Sequence, residues 1–408
     1  MNSQNKLKII NDPIYGFITI PSALIFELIE HRYFQRLRRI SQMGMSYLVY
    51  PGAHHTRFHH ALGAMHLMQK AVQVLRFKNV SISDDEAEAL YIAILLHDIG
   101  HGPFSHAMEY SIVENVDHEH ISLLFMDALN QEFNNRLTLA IKIFKNEYDK
   151  KFLFQLISGQ LDMDRMDYLK RDSFYTGVSE GAVNSQRLIS MLNVYDDNLV
   201  VEEKGIYSVE KFIIARRLMY WQVYLHKTGL VAEQLLMRLL KRAKELTKQG
   251  VILPASKALS YFLKTSIAFE GFNKTVLDTF AELDDYDIIS AMKSWTNADD
   301  FVLRTLSNKL LNRDLLKIEI KPEPFSEQII SEAKEEIMSK HQLTKKEASY
   351  FVFSGVIVNQ AYRMDKDVIN LLTKSNEIID VAHASDQLNL KALSKEVVKY
   401  YMCFPKTK

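Results

Sequence analysis

Ala93-Ile94-Leu95-Leu96-His97-Asp98-Ile99-Gly100-His101-Gly102-Pro103-Phe104-Ser105-His106 decides how the rest of the chain is read. An apolar run leads directly into an adjacent His and Asp, and a glycine-rich break carrying two more histidines follows. Burying a His-Asp pair at the end of such a helix is unfavourable unless partners satisfy both side chains, and a divalent cation would do so. An isolated His-Asp pair is more commonly a hydrogen-bonded cap on a core helix, so the context has to carry the reading.

Upstream stands Thr56-Arg57-Phe58-His59-His60-Ala61-Leu62-Gly63, and downstream Gln160-Leu161-Asp162-Met163-Asp164-Arg165-Met166-Asp167-Tyr168-Leu169-Lys170-Arg171-Asp172. Together they add an imidazole and a carboxylate. A set of two His and two Asp offers mixed nitrogen and oxygen ligands, which suit Mn, Fe, Zn or Ni. Its members fall on three separate helices, a usual way of building a metal site in a bundle core.

The bulk numbers fit a globular protein of a reducing compartment. The 408 residues exceed one ordinary domain, and 47% hydrophobic with 25% charged residues leaves ample material for a core. Fifty basic residues balance fifty acidic ones. That removes the global footprint of a protein that coats nucleic acid or anionic lipid, although a local nucleic-acid site stays compatible with it. The only cysteine is Cys403, so no disulfide framework forms within the chain. No signal peptide and no membrane-length apolar run is visible, which predicts a cytoplasmic protein that does not enter membranes.

The pattern predicts a mainly α fold. A small hairpin is expected over residues 8–20, then one helix whose apolar stripe runs from Phe26 through Tyr33 and Leu37 to Ile40. Further helices are expected near 58–77, 86–98, 118–130, 136–146, 161–171 and 208–247, with a second β-ribbon over 192–207. Gly250 and Pro254 mark a boundary between a catalytic domain, residues 1–250, and a C-terminal α+β lobe, residues 251–408. In that lobe helices are expected near 283–312 and 325–340, and strands at 316–320, 350–353 and 377–381. No nameable motif lies there.

These segments resemble the HD-domain phosphohydrolases, specifically the deoxynucleoside triphosphate triphosphohydrolase branch that includes the sterile-alpha-motif HD enzymes of animals. The resemblance runs in order through Asn11-Asp12-Pro13, Phe34-Gln35-Arg36-Leu37-Arg38, Tyr50-Pro51-Gly52-Ala53, Thr56-Arg57-Phe58, the His97–His106 stretch, His118-Glu119, Asp164 and Tyr224-Leu225-His226-Lys227. It implies an HD-domain helical bundle with small β-hairpins. It also implies that His60, His97, Asp98 and Asp164 hold a divalent transition metal, with Mg accompanying a triphosphate substrate. His101 and His118 become proton donors, with Glu119 orienting His118; their use as extra ligands for a second ion stays open.

By the same resemblance Arg57, Arg216 and Lys227 hold the triphosphate, Tyr168 and Asp172 the sugar edge, and Gln42 the ribose. Arg216, Tyr220 and Tyr224 recur every four residues, which would put a guanidinium and two phenols on one helix face. Two positions depart from the pattern: relatives commonly carry Phe-Glu-His where this chain has Phe58-His59-His60, and animal relatives carry Gln at Leu225.

His31, Arg32, Arg36, Arg38 and Arg39 crowd one helix, a run that by itself is usually solvated surface. The resemblance makes this a regulatory nucleotide site between subunits, read by Glu30, Gln35 and Arg38, and so implies a homo-oligomer with an activating nucleotide. Two other functions stay compatible with the metal set: an HD nucleotidase or phosphodiesterase acting on other nucleotides, and a non-catalytic nucleotide-sensing or single-strand-binding protein.

Overall fold

The computed structural model describes residues 8–104, 116–267, 271–364, 367–385 and 394–406. Ser105 and His106 of the central motif lie outside the described residues. The chain is mainly helical, with three small sheets among the described residues.

The N-terminal hairpin forms as expected. Strand β1 (Ile9–Asp12) pairs antiparallel with β2 (Gly16–Thr19), and Asp12 Oδ1 accepts hydrogen bonds from the Ile14 and Tyr15 amides at 2.9 and 3.0 Å. That side-chain turn fixes the loop.

The expected helix from Phe26 to Ile40 is instead broken. Helix α1 (Ala23–Glu30) stops at His31, which is extended at φ −67° and ψ 141° and whose Nδ1 accepts from the Tyr33 amide. A side chain that bonds to nearby backbone offers an alternative to the helical ladder. The short α2 (Arg32–Gln35) and a 3-10 turn (Arg36–Arg39) follow, with Tyr33, Phe34, Leu37 and Ile40 still buried.

The core is built on α3 (Arg57–Phe77), which packs against α4 (Asp84–Leu96) and, on another side, α8 (Met163–Thr176). Between them in sequence lie α5 (His118–Glu132), α6 (Thr138–Phe144) and α7 (Lys151–Ile157), and after them α9 (Ser185–Met191). The last two carry too few turns for a periodicity signal to emerge.

The expected long helix over 208–247 is two helices, α10 (Ile206–Met219) and α11 (Lys227–Lys248). A π-turn over Tyr220–Tyr224 ends the first, with the Leu225 amide bonded to the Tyr220 carbonyl at 2.8 Å. His226 is extended and caps α11 by accepting from the Thr228 amide.

Beyond residue 250 the chain forms α12 (Lys257–Lys264), α13 (Lys274–Ala281), α14 (Asp285–Trp295) and α15 (Phe301–Leu311). The helix expected over 283–312 is therefore interrupted, because Asp300 caps α15 and also receives Arg242. A later helix, α16 (Glu327–His341), matches expectation. Strand β5 (Lys317–Lys321) pairs with β9 (Val397–Phe404), which also pairs with β6 (Phe353–Asn359). Tyr350–Val352 form a turn ahead of β6 rather than its start.

The second ribbon, β3 (Leu192–Tyr195) and β4 (Asn198–Glu202), is extended by two strands from the C-terminal part. Strand β7 (Asn370–Leu372) lies parallel to β4, and β8 (Ile378–Asp380) closes the edge. Val381, expected in that last strand, begins a short helix.

The basic run is exposed at Arg32, Arg38 and Arg39 but not at Arg36. Arg36 is 1% exposed and donates from Nη1 to the His101 carbonyl at 2.9 Å and from Nη2 to the Ile99 carbonyl at 3.1 Å. Arg32 pairs with Asp278 at 2.5 Å, and Arg39 with Asp284. Asp285, next to that carboxylate, accepts from the Ser41 and Phe104 amides, each at 2.8 Å. Helix α13 is thereby tied to α2, and the start of α14 to the segments carrying Gln42 and His101.

Candidate active site

Three helices bring the imidazoles and carboxylates together. His60 lies one turn into α3, His97 caps the C-terminal end of α4 with Asp98 directly after it, and Asp164 sits in the first turn of α8. Ligand atoms of His60, His97 and Asp164 all fall within 4.8 Å of one another, and so do those of Asp98, His101 and His118. Asp98 joins the two groups. Its Oδ1 is 3.5 Å from His97 Nε2 and 3.3 Å from His101 Nδ1, and its Oδ2 is 3.8 Å from His60 Nε2.

Both inner imidazoles have their outer nitrogens engaged. His60 Nδ1 lies 2.8 Å from Asp167 Oδ2, and His97 Nδ1 lies 2.6 Å from the Ile94 carbonyl. Each acceptor requires a proton on Nδ1, so Nε2 is the nitrogen each ring offers inward, to a proton or to a metal. Those two Nε2 atoms are buried without a well-aligned hydrogen bond, His60 Nε2 lying 3.1 Å from Asp164 Oδ1. Buried imidazole nitrogens converging on carboxylates fit a divalent cation.

The electrostatics agree. Burial opposes charge on His60, but Asp164 and Asp167 outweigh it and lift the imidazole up to about 10. Burial equally opposes a charged Asp98, yet His97, Arg57 and His101 hold its carboxyl well below the usual range. Asp164 is depressed as well, against its burial, by His60 and His97. A site that binds a proton this firmly is one that attracts a metal cation.

Sequence reasoning missed the groups that hold these side chains. Asp167 orients His60 and is itself forked by Arg171, whose Nε and Nη2 donate to its two oxygens at 2.8 and 3.0 Å. Their spacing on α8 was a signal available in the sequence. Ser122 on α5 donates to the His97 carbonyl at 2.8 Å and accepts from the Gly100 amide at 2.9 Å. A Cβ at Gly100 would meet the His118 carbonyl at 2.2 Å, so glycine lets α5 approach this closely. His118 consequently lies with its ring 3.8 Å from that of His101.

His59 does not join the cluster. Its Nδ1 accepts from the Thr56 amide at 3.2 Å, the capping role that a Glu at this position would fill. The departure from Phe-Glu-His thus changes the cap and leaves the His60 ring in place.

A cavity of about 590 Å³ opens over this centre. Its wall includes Arg57, Asp98, His101, His118 and Asp164, together with Gln42, Tyr168, Asp172, Tyr224 and Leu225. Arg57 contacts Asp98 directly. Asp172 is held from both sides, its Oδ2 accepting from the Tyr224 hydroxyl and its Oδ1 meeting His55 Nε2, each at 2.7 Å. The π-turn sets Tyr220 and Tyr224 side by side, ring centroids 5.2 Å apart, and both line the cavity. Arg216 stays behind Tyr220, its guanidinium 6.0 Å from that ring.

The remaining expected residues lie outside the cavity wall. Lys227 is exposed at the start of α11. Glu119 is exposed, because adjacent positions on α5 point about 100° apart and His118 takes the inward one. Glu30 and Arg38 are exposed, and Arg38 donates to Gln35 Oε1 at 2.9 Å. No helix among the described residues is long and apolar enough to cross a membrane.

Residues 57–172 match the HD domain family, and residues 183–253 match the HD associated region. The uncharacterized protein YwfO of Bacillus subtilis is 33% identical over 399 residues, which cover 93% of this chain and 88% of that protein. The crystal structure of a phosphohydrolase from Bacteroides thetaiotaomicron is 53% identical, with a TM-score of 0.95 over 98% of this chain and 100% of that one. The chain belongs to the HD-domain phosphohydrolases. A relative of this HD-domain protein in Dictyostelium discoideum, named deoxynucleoside triphosphate triphosphohydrolase SAMHD1 homolog, is 31% identical over 247 residues. That match covers 56% of this chain and 48% of the relative.

Proposed function

We propose that this HD-domain phosphohydrolase hydrolyses deoxynucleoside triphosphates to a deoxynucleoside and inorganic triphosphate. The observation that carries the reading is the single cavity whose wall joins Asp98, Asp164, His101 and His118 to Gln42, Tyr168, Asp172 and Tyr224. Its volume falls in the usual range of about 300–1,000 Å³ for small-molecule sites. The relative named for this activity supports the substrate class.

In this reading His60, His97, Asp98 and Asp164 hold a divalent transition metal, Mn, Fe, Zn or Ni, and Mg accompanies the triphosphate. Bound there, the cation supplies Lewis acidity and an activated water. Arg57 at the cavity wall offsets triphosphate charge; Arg216, behind Tyr220, and Lys227, exposed at the start of α11, would have to turn inward to add to it. Tyr168 and Asp172 take the sugar edge and Gln42 the ribose. Leu225 gives the wall an apolar element where animal relatives carry a glutamine.

Water attacks the α-phosphorus, the bond from phosphorus to the 5′-oxygen breaks, and His118, its ring 3.8 Å from that of His101, donates the proton that the departing 5′-oxygen needs. The same reading makes the protein a homo-oligomer with an activating nucleotide near Glu30, Gln35 and Arg38. Light scattering with and without GTP tests that part, and a 47 kDa particle under both conditions would oppose it.

The activity is tested by incubating metal-loaded protein with each dNTP, with and without GTP, and separating the products. Triphosphate and deoxynucleoside are expected. Orthophosphate alone, or turnover confined to monophosphates, would move the protein to the nucleotidase or phosphodiesterase reading; binding without turnover would indicate a nucleotide sensor.

A further inference from the structure

We infer that Asp12, in the N-terminal hairpin, is a positioning residue for His60 and acts on it through Arg171 and Asp167. The inference rests on the reading of His60 as a metal ligand.

The four side chains form one unbroken line. Arg171 Nη1 donates to Asp12 Oδ2 at 2.8 Å, its Nε and Nη2 fork Asp167, and Asp167 Oδ2 lies 2.8 Å from His60 Nδ1. Asp12 is 7% exposed, and Arg171, Asp167 and His60 are each 0% exposed. In so dry a setting charge interactions are strong and an uncompensated charge is costly. With Asp12 present, Arg171 is shared between two carboxylates. Without it the whole guanidinium charge falls on Asp167, which then holds the imidazole less firmly.

Asp12 cannot drift to compensate, since its other oxygen is held by the Ile14 and Tyr15 amides of the hairpin turn. The helix carrying His60 is also shaped for the fork. A Cβ at Gly63, one turn beyond His60, would stand 2.0 Å from Asp167 Oδ1 and 2.2 Å from Arg171 Nη2. The hairpin, 159 residues from Arg171 in sequence, is thus part of the apparatus that aims a ligand.

Asp12→Asn tests this. It keeps the size and the turn-accepting oxygen and removes the charge. Chelator competition should give a metal affinity about tenfold weaker than wild type, the lower end of outer-shell effects, and Asp167→Asn should weaken it by about 10–100-fold. The rise in melting temperature on adding metal should also shrink in Asp12→Asn. A merely structural salt bridge would lower the metal-free and metal-loaded melting temperatures alike and leave that rise unchanged. Unchanged affinity and an unchanged rise in Asp12→Asn, with Asp167→Asn weakened, would overturn the inference. Should Asp12→Asn not fold, Arg171→Lys, which keeps the charge but loses the fork, must weaken metal binding, and wild-type affinity there would overturn the inference equally. If His60→Ala itself retains metal, the ligand reading fails instead.

Discussion

The Nδ1 of His97 lies 2.6 Å from the carbonyl oxygen of Ile94, one turn earlier on α4. That contact fixes the proton on Nδ1 and leaves Nε2 facing Asp164 Oδ1 at 3.5 Å. His97→Ala removes this nitrogen, and Asp98→Ala removes the carboxylate between the two groups. Both variants should lose bound metal and turnover. Elemental analysis of dialysed protein checks this, and a variant with stoichiometric metal and a normal rate would refute the ligand set.

Metal binding should strengthen as pH rises. In metal-free protein His60 is lifted from 6.5 up to about 10. Its protonated form therefore stabilises that state fully below about 6.5, and the contribution is lost as pH climbs through about 10. A metal must displace this proton, so apparent affinity gains up to about tenfold per pH unit across that window. Titration at pH 6, 7 and 8 measures the slope, and a flat profile would contradict it.

The candidate ligands stand out in the sequence because they lie in three short, dense motifs, and the fold brings those motifs together. The elements behind them do not stand out. Asp12 and Arg171 meet across 159 residues, a separation at which no periodicity speaks. The breaks at His31 and at Tyr220–Tyr224 fall inside continuous apolar patterns. They arise from side-chain caps at His31 and His226 that hydropathy does not register. Arg36 sits in a charged run and was expected on its outer face, but two carbonyls of the His97–Phe104 stretch draw it inside.

That buried Arg36 yields a prediction of its own. Arg36→Leu leaves the Ile99 and His101 carbonyls without their donor, at a cost of about 1–3 kcal/mol for each group left unsatisfied. The melting temperature should fall, and turnover should fall with it because the same contacts hold the backbone of His101. Full stability in this variant would mean that another donor takes over.

His118 is the group expected to protonate the leaving oxygen. Replacing it by Ala should lower kcat by about 10²–10⁴-fold while leaving metal content unchanged. Loss of one equivalent of metal in that variant would instead make His118 a ligand of a second ion alongside Asp98 and His101.

The central claim is attack at the α-phosphorus of a dNTP, and hydrolysis in ¹⁸O-labelled water tests it most directly. Metal-loaded protein should release inorganic triphosphate carrying one ¹⁸O on a terminal phosphorus, with an unlabelled deoxynucleoside, as read by ³¹P NMR and mass spectrometry. Label in orthophosphate or pyrophosphate, or on the nucleoside, would contradict the account.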